Sequence, residues 1–179
     1  RTVINNGMGE LASPAYEHRY FVDGELTVAD AYDGSNWRTI LVGTLGAGGL
    51  NKARDGTNNA IFALDVTDPA NIQFLWEKNS TEIPALGNNL GEPVIAQIAN
   101  GSWSVLLGNG PNSSEGTASL ISLNLFSGVS TVTTMSTDVN NGLSAIRAWD
   151  SQGDGIADVI YAGDLQGNLW KVTGLANNP

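Results

Sequence analysis

Residues 104–108 read Ser104-Val105-Leu106-Leu107-Gly108, a short apolar run that ends in glycine. The same phrase stands at Thr39-Ile40-Leu41-Val42-Gly43 and at Val159-Ile160-Tyr161-Ala162-Gly163. The three glycines fall roughly 55 to 65 residues apart, and self-similarity at such a period is the mark of a repeat architecture. Outward from each run the repeat fills in. A segment precedes each one: Leu26 to Tyr32, Pro93 to Ile98 and Ala145 to Trp149. Another follows: Ala60 to Val66, Ala118 to Leu125 and Asn168 to Val172. The first two sets add a fourth, Ile72 to Glu77 and Ser130 to Met135. All are rich in Val, Ile, Leu and aromatic residues and are bounded by Gly, Asn, Asp or Ser, as short strands joined by turns are.

Some of these strands alternate. Phe62, Leu64 and Val66 share one face of their run. Others, such as Ile40-Leu41-Val42, are continuously apolar, as expected of strands covered on both sides. Asn100-Gly101 and Gln166-Gly167-Asn168 supply residues that accept φ > 0 for tight hairpins. No segment has the length and 3.6-residue period of a helix. Four antiparallel strands repeating in this way describe a propeller blade. The expected fold is therefore all-β: a fragment of a modified β-propeller with about two full four-stranded blades plus most of a third. The blade repeats are expected at about 26–78, 93–136 and 144–173 within a partial propeller spanning 21–179, with 1–20 as a lead-in loop. A ring needs about 4–8 blades to close, so the remaining ones are expected from a longer chain. An open β-sandwich of the same strands is the alternative. Trp37, Trp76, Trp103, Trp149 and Trp170 recur near equivalent blade positions and are expected in the packing between blades.

Composition narrows the function. The 179 residues hold 8 Lys and Arg against 18 Asp and Glu, a net charge of −10. That deficit of cations disfavours nucleic acid and anionic membrane surfaces as partners. No apolar run approaches the ~20 residues of a membrane helix. With no Cys and one His, His18, thiolate metal sites and most histidine chemistry are excluded. Gly at 22 of 179 exceeds the usual ~7% and fits a chain of many turns. The chain starts at Arg1, without Met, and is expected to be a piece of something longer. The acidity and the missing Cys fit a secreted bacterial protein. The longest insertion, Gly46 to Asn59, begins Gly46-Ala47-Gly48-Gly49 but lacks the helix and the Gly-Lys-Ser/Thr ending of a phosphate loop.

One motif carries chemistry: Asp150-Ser151-Gln152-Gly153-Asp154-Gly155-Ile156-Ala157-Asp158. Oxygen-bearing side chains fall at its positions 1, 3, 5 and 9, and Gly155 holds position 6, where a tight calcium loop turns sharply. The candidate ligands of Ca2+ are Asp150, Gln152, Asp154 and Asp158 by side chain and Ile156 by its backbone carbonyl. Position 12 is Tyr161 rather than a bidentate Glu, so Asp158 has to close the site. Gln152 stands where Asp or Asn is usual and must fold back to reach the ion. Expected affinity is on the order of micromolar to sub-millimolar. A solvated acidic turn is the alternative. Asp30 with Asp33, Asp23 with Glu25, His18 with Arg19, and Ser113-Ser114 offer weaker constellations, and local hydrogen bonding or packing accounts for them. No catalytic residue is expected.

Tyr16-Glu17-His18-Arg19-Tyr20-Phe21-Val22-Asp23-Gly24, Leu41 to Gly49 and Ala63-Leu64-Asp65-Val66-Thr67-Asp68-Pro69 resemble the C-terminal propeller of the PilY family. So do Leu90-Gly91-Glu92-Pro93, Gly108-Asn109-Gly110-Pro111-Asn112-Ser113 and Tyr161 to Lys171. The likeness runs in order from about Leu11 to Val172, and the acidic loop sits where that family has one. These are type IV pilus biogenesis factors and tip adhesins. The resemblance implies calcium-dependent control of pilus extension and retraction, twitching motility and surface adhesion. It also implies minor pilin components and host or abiotic surfaces as partners, at the pilus tip or outer membrane of a Gram-negative bacterium. A secreted calcium-loop propeller of the integrin-like or lectin kind, and a quinone-dependent dehydrogenase on the same fold, are the other readings.

Overall fold

The structure is a computed structural model that describes residues 12–18, 20–49, 59–89, 91–98 and 101–174. Among these residues eleven strands form three antiparallel sheets. The first contains β1 (Leu26–Tyr32), β2 (Trp37–Thr44), β3 (Ala60–Asp65) and β4 (Gln73–Asn79) in that order. The second contains β5 (Val94–Gln97), β6 (Trp103–Gly108), β7 (Ala118–Asn124) and β8 (Ser130–Ser136). The third contains β9 (Leu143–Trp149), β10 (Val159–Asp164) and β11 (Leu169–Thr173). Every strand pairs with its neighbour in sequence, so each sheet is a meander, and the three together are two four-stranded blades and a three-stranded one. The insertion expected at Gly46 to Asn59 opens with a 3-10 turn at Gly46–Gly49, and its residues 50–58 lie outside the described ones, as do residues 1–11 of the lead-in. No helix among the described residues is long and apolar enough to cross a membrane.

The strands stack face to face through two cores. Ile40, Val42, Ile61, Ala63 and Trp76 of the first sheet meet Val105, Leu107, Ile121 and Leu123 of the second. Leu106, Ala118 and Leu120, on the other face of the second sheet, meet Leu143, Ile146, Ile160 and Ala162 of the third. The middle sheet is thus covered on both sides, which explains why β7 is buried from Ala118 to Leu123 without alternation. Each fully buried Leu or Ile contributes roughly 1.5–3 kcal/mol over exposure, so the two cores fix the order of the blades. The expectation for the tryptophans needs correction. Trp76 lies in the first core, and Trp103 and Trp170 pack against the cores, but Trp37 is 64% and Trp149 57% exposed. Trp37 nevertheless meets Trp103 of the second sheet edge-on, with ring centroids 6.3 Å apart, so it packs between blades at their exposed rim. Trp149 alternates with Ile146 and stands on the face of the third sheet turned away from the middle one.

The residue after each of the first two repeated glycines ties its sheet to the segment that leads into the next blade, and the third ties its blade to the loop before it. The Thr44 hydroxyl donates to Asn89 O at 3.3 Å. Asn109 is fully buried; its Nδ2 donates to Ala85 O (2.9 Å) and Thr117 O (2.8 Å), and its Oδ1 accepts from the amides of Ser119 (2.9 Å) and Leu143 (2.8 Å). Asp164 takes the third position. Its Oδ1 accepts from the Gln166 and Asn168 amides, and its Oδ2 from Asn141 Nδ2, Asn168 Nδ2 and Trp170 Nε1, at 2.9–3.1 Å. Partial desolvation pushes the Asp164 pKa up, but Asn168, Trp170 and Asn141 together outweigh it and hold the carboxyl far below the usual carboxylate range. A depressed folded-state pKa contributes stability that is complete above the unfolded value of about 3.9 and is lost as pH falls toward the folded one. Asp164→Asn, which turns an amide nitrogen toward those donors, is therefore expected to lower Tm clearly at pH 7 and to flatten the acid limb of Tm against pH below about 4. Parallel acid limbs for variant and parent in thermal melts would remove Asp164 from this role.

Candidate functional site

β9 ends at Trp149 and β10 begins at Val159, so the acidic motif is the whole connection between the first two strands of the third blade. Its root is closed by the strand register, in which Trp149 pairs with Val159, and by the Asp158 amide donating to Trp149 O at 3.0 Å. Its tip is exposed from Ser151 to Gly155, and Asp150 is half-buried. Gly153 (φ 76°) and Gly155 (φ 86°) have open space where a Cβ would be, so backbone handedness rather than crowding requires glycine there.

The carboxylates organise the turn. Asp150 Oδ1 accepts from the amides of Gln152 (3.1 Å) and Gly153 (2.6 Å), and its Oδ2 from Gly155 (2.7 Å). Asp154 Oδ1 accepts from the Ile156 amide at 3.0 Å. Asp158 reaches back across the loop: its Oδ2 accepts from the Ser151 amide (2.8 Å) and hydroxyl (2.6 Å), its Oδ1 from Gln152 Nε2 (3.3 Å). The Gly155 amide above all, with those of Gly153 and Gln152, holds Asp150 below the ordinary carboxylate pKa. The Ser151 hydroxyl and amide do the same for Asp158, against an upward push from the nearby Asp150 charge. Both groups are anionic at neutral pH and need no proton loss to bind a cation.

The donor set fits a hard divalent ion in its chemistry: three carboxylates, an amide and a backbone carbonyl on one closed bend, all oxygen. The structure brings Asp150, Ser151, Gln152 and Asp158 together. It places Asp154 on a bond to its own turn, and among the described residues no three His, Cys, Asp or Glu side chains stand close enough to hold a metal as placed. Gln152 meets Asp158 through its amide nitrogen, so an ion calls for the carbonyl end to turn inward. These movements fall on the exposed tip.

The other constellations resolve into local bonding. Asp33 accepts from the Ser35 and Asn36 amides and pairs with Arg38 at 2.8 Å, and Asp30 Oδ1 accepts from the Thr39 hydroxyl at 2.7 Å. His18 lies edge-on to Tyr20 with ring centroids 5.1 Å apart, while Arg19 is outside the described residues. Ser114 Oγ donates to Pro84 O. Two participants escaped the sequence reading. Ser151 has an ordinary local signal, a hydroxyl at the start of a turn. Gln97 has none: it belongs to the preceding blade, yet its carbonyl accepts the Ala157 amide at 2.8 Å and it forms a parallel bridge with Ile156.

Comparison with known proteins places the chain in a family. The family model described as the PilY1 beta-propeller domain matches residues 5–178. A type IV pilus biogenesis factor PilY1 homolog of Xylella fastidiosa is 52% identical over 165 residues, covering 92% of this chain and 13% of that protein. The type IV pilus biogenesis factor PilY1 of Pseudomonas aeruginosa is 46% identical over 157 residues, covering 86% of this chain and 13% of its own length. The crystal structure of the Pseudomonas aeruginosa PilY1 C-terminal domain superposes with a TM-score of 0.72 at 45% identity, over 84% of this chain and 29% of that one. The chain therefore spans about an eighth of the curated relatives it matches.

Proposed function

The chain belongs to the PilY1 β-propeller family, whose curated relatives are type IV pilus biogenesis factors, and from that premise we propose that it is a calcium-binding, non-enzymatic part of such a factor. Its role is in the control of pilus extension and retraction, in twitching motility and in surface adhesion. The remaining blades come from the longer chain. The protein works outside the cell, at the pilus tip or outer membrane of a Gram-negative bacterium, with minor pilin components and host or abiotic surfaces as partners.

The observation that carries the calcium reading is the nine-residue bend between β9 and β10, with three carboxylates on one loop of a chain already at −10. Asp150, Asp154 and Asp158 supply the negative charge, Gln152 its side-chain oxygen and Ile156 its carbonyl. A bound cation neutralises the repulsion among the three carboxylates and ties the tip of the loop to its root. The residues do the rest: the glycines let the backbone turn, Ser151 keeps Asp158 folded inward, and the Gly155 amide orients Asp150.

The test is made in the full-length protein. Asp158→Ala in the chromosomal copy is expected to leave the protein expressed but to make twitching insensitive to calcium chelation. Twitching that still follows calcium as it does with the parent protein removes the loop from this role.

A further inference from the structure

The acidic loop has two halves with different attachments. Its tip, from Ser151 to Gly155, is exposed and held by bonds within the loop, chiefly to Asp150. Its tail, from Ile156 to Asp158, is fixed on both sides. The Asp158 amide donates to Trp149 O of its own blade, and the Ala157 amide donates to Gln97 O of the neighbouring blade. Ile156 adds the parallel bridge to Gln97, and Ala157, only 6% exposed, lies in the core shared by Ile98, Leu106, Ile146 and Ile160. Gln97 is itself held firmly: it pairs with Trp103 across the β5–β6 hairpin, and its Nε2 donates to Gly101 O at 2.8 Å.

We propose that Gln97 is a positioning residue for the metal loop, so that the cation site is shared by two blades and calcium clamps the second blade to the third. The proposal rests on the calcium reading of this loop. The reasoning is linkage. Asp158 is a ligand on the tail, and the tail is held to the second blade by the Gln97 carbonyl and the shared core as it is to its own by Trp149 O. An ion joining Asp150 at the root and Asp154 on the tip to Asp158 on the tail therefore favours the state in which the junction between the blades is closed. By reciprocity, a closed junction favours the ion by the same factor. The tip alone, free on its outer side, has nothing to transmit.

Amide hydrogen exchange of the intact chain, with calcium chloride in excess and again with chelator, reads this directly, and calorimetric titration of the same samples reports whether calcium binds. The expected result is heat of binding together with slower exchange at Ala157 and at the β5–β6 amides from Val94 to Gln97 and Trp103 to Gly108. Where opening of the junction requires release of the ion, slowing reaches about 100-fold at free calcium near 100 times Kd. Asp158→Asn supplies the control in which calcium changes exchange nowhere. Heat of binding with slowing confined to Asp150 through Ile156 overturns the clamp and leaves the calcium site standing. No heat of binding overturns both.

Discussion

Gly108→Ala is expected to destabilise the chain by about 3 kcal/mol or more, while Gly163→Ala, at the same place in the repeat, changes stability by less than about 1 kcal/mol. A Cβ on Gly108 would stand 2.0 Å from Ser144 O and 2.6 Å from Leu143 O. Both are backbone atoms at the start of β9, where the Leu143 amide is tied to Asn109 and the Leu143 carbonyl accepts the Gly110 amide. Nothing there yields without opening the junction of the second and third blades. A Cβ on Gly163 meets only the Ser144 hydroxyl at 3.5 Å and Asn168 O at 3.9 Å, ordinary packing distances. Gly43 falls between them, because its close neighbours are the side-chain ends of Leu26 and Phe62. Thermal or urea unfolding of the single variants decides the matter; equal losses at 108 and 163 would mean that the blades do not approach as described.

Calcium in excess is expected to raise the Tm of the parent chain by roughly 5–10 °C at about 100 times Kd, and Asp158→Ala to abolish that rise. Asp158 is the decisive position because it closes the site from the β10 side of the loop's root, opposite Asp150 on the β9 side. Removing it also releases the Ser151 amide and hydroxyl that it now accepts from. Some loss of Tm in chelator is thus expected as well, and the calcium-dependent difference, not the absolute Tm, carries the result. A variant whose Tm still rises with calcium as the parent's does would show that the ion is held elsewhere.

The strands were legible because each is a short apolar run with turn residues at both ends, and Leu26–Tyr32 forms β1 over the very residues that the run marks out. Which face of each strand is covered was not. Trp149 recurs like a core residue, but parity alone cannot say which side of an outer sheet has a neighbour. The oxygen-bearing side chains at 150–158 and their spacing were readable because they are local to nine residues. The Gln97 contact was not, since a carbonyl accepting across blades leaves no mark on side-chain identity. The hairpin at Gln166-Gly167-Asn168 was legible, and it forms; the bonds from Asn141 and Trp170 that make Asp164 a latch depend on how the third blade folds back on the loop before it.

Calorimetric titration of the chain with calcium, beside Asp150→Ala, tests the central claim most directly. One binding event with Kd on the order of micromolar to sub-millimolar, lost in the variant, is the predicted outcome. Absence of binding by the parent chain, or binding of unchanged affinity by the variant, would contradict it.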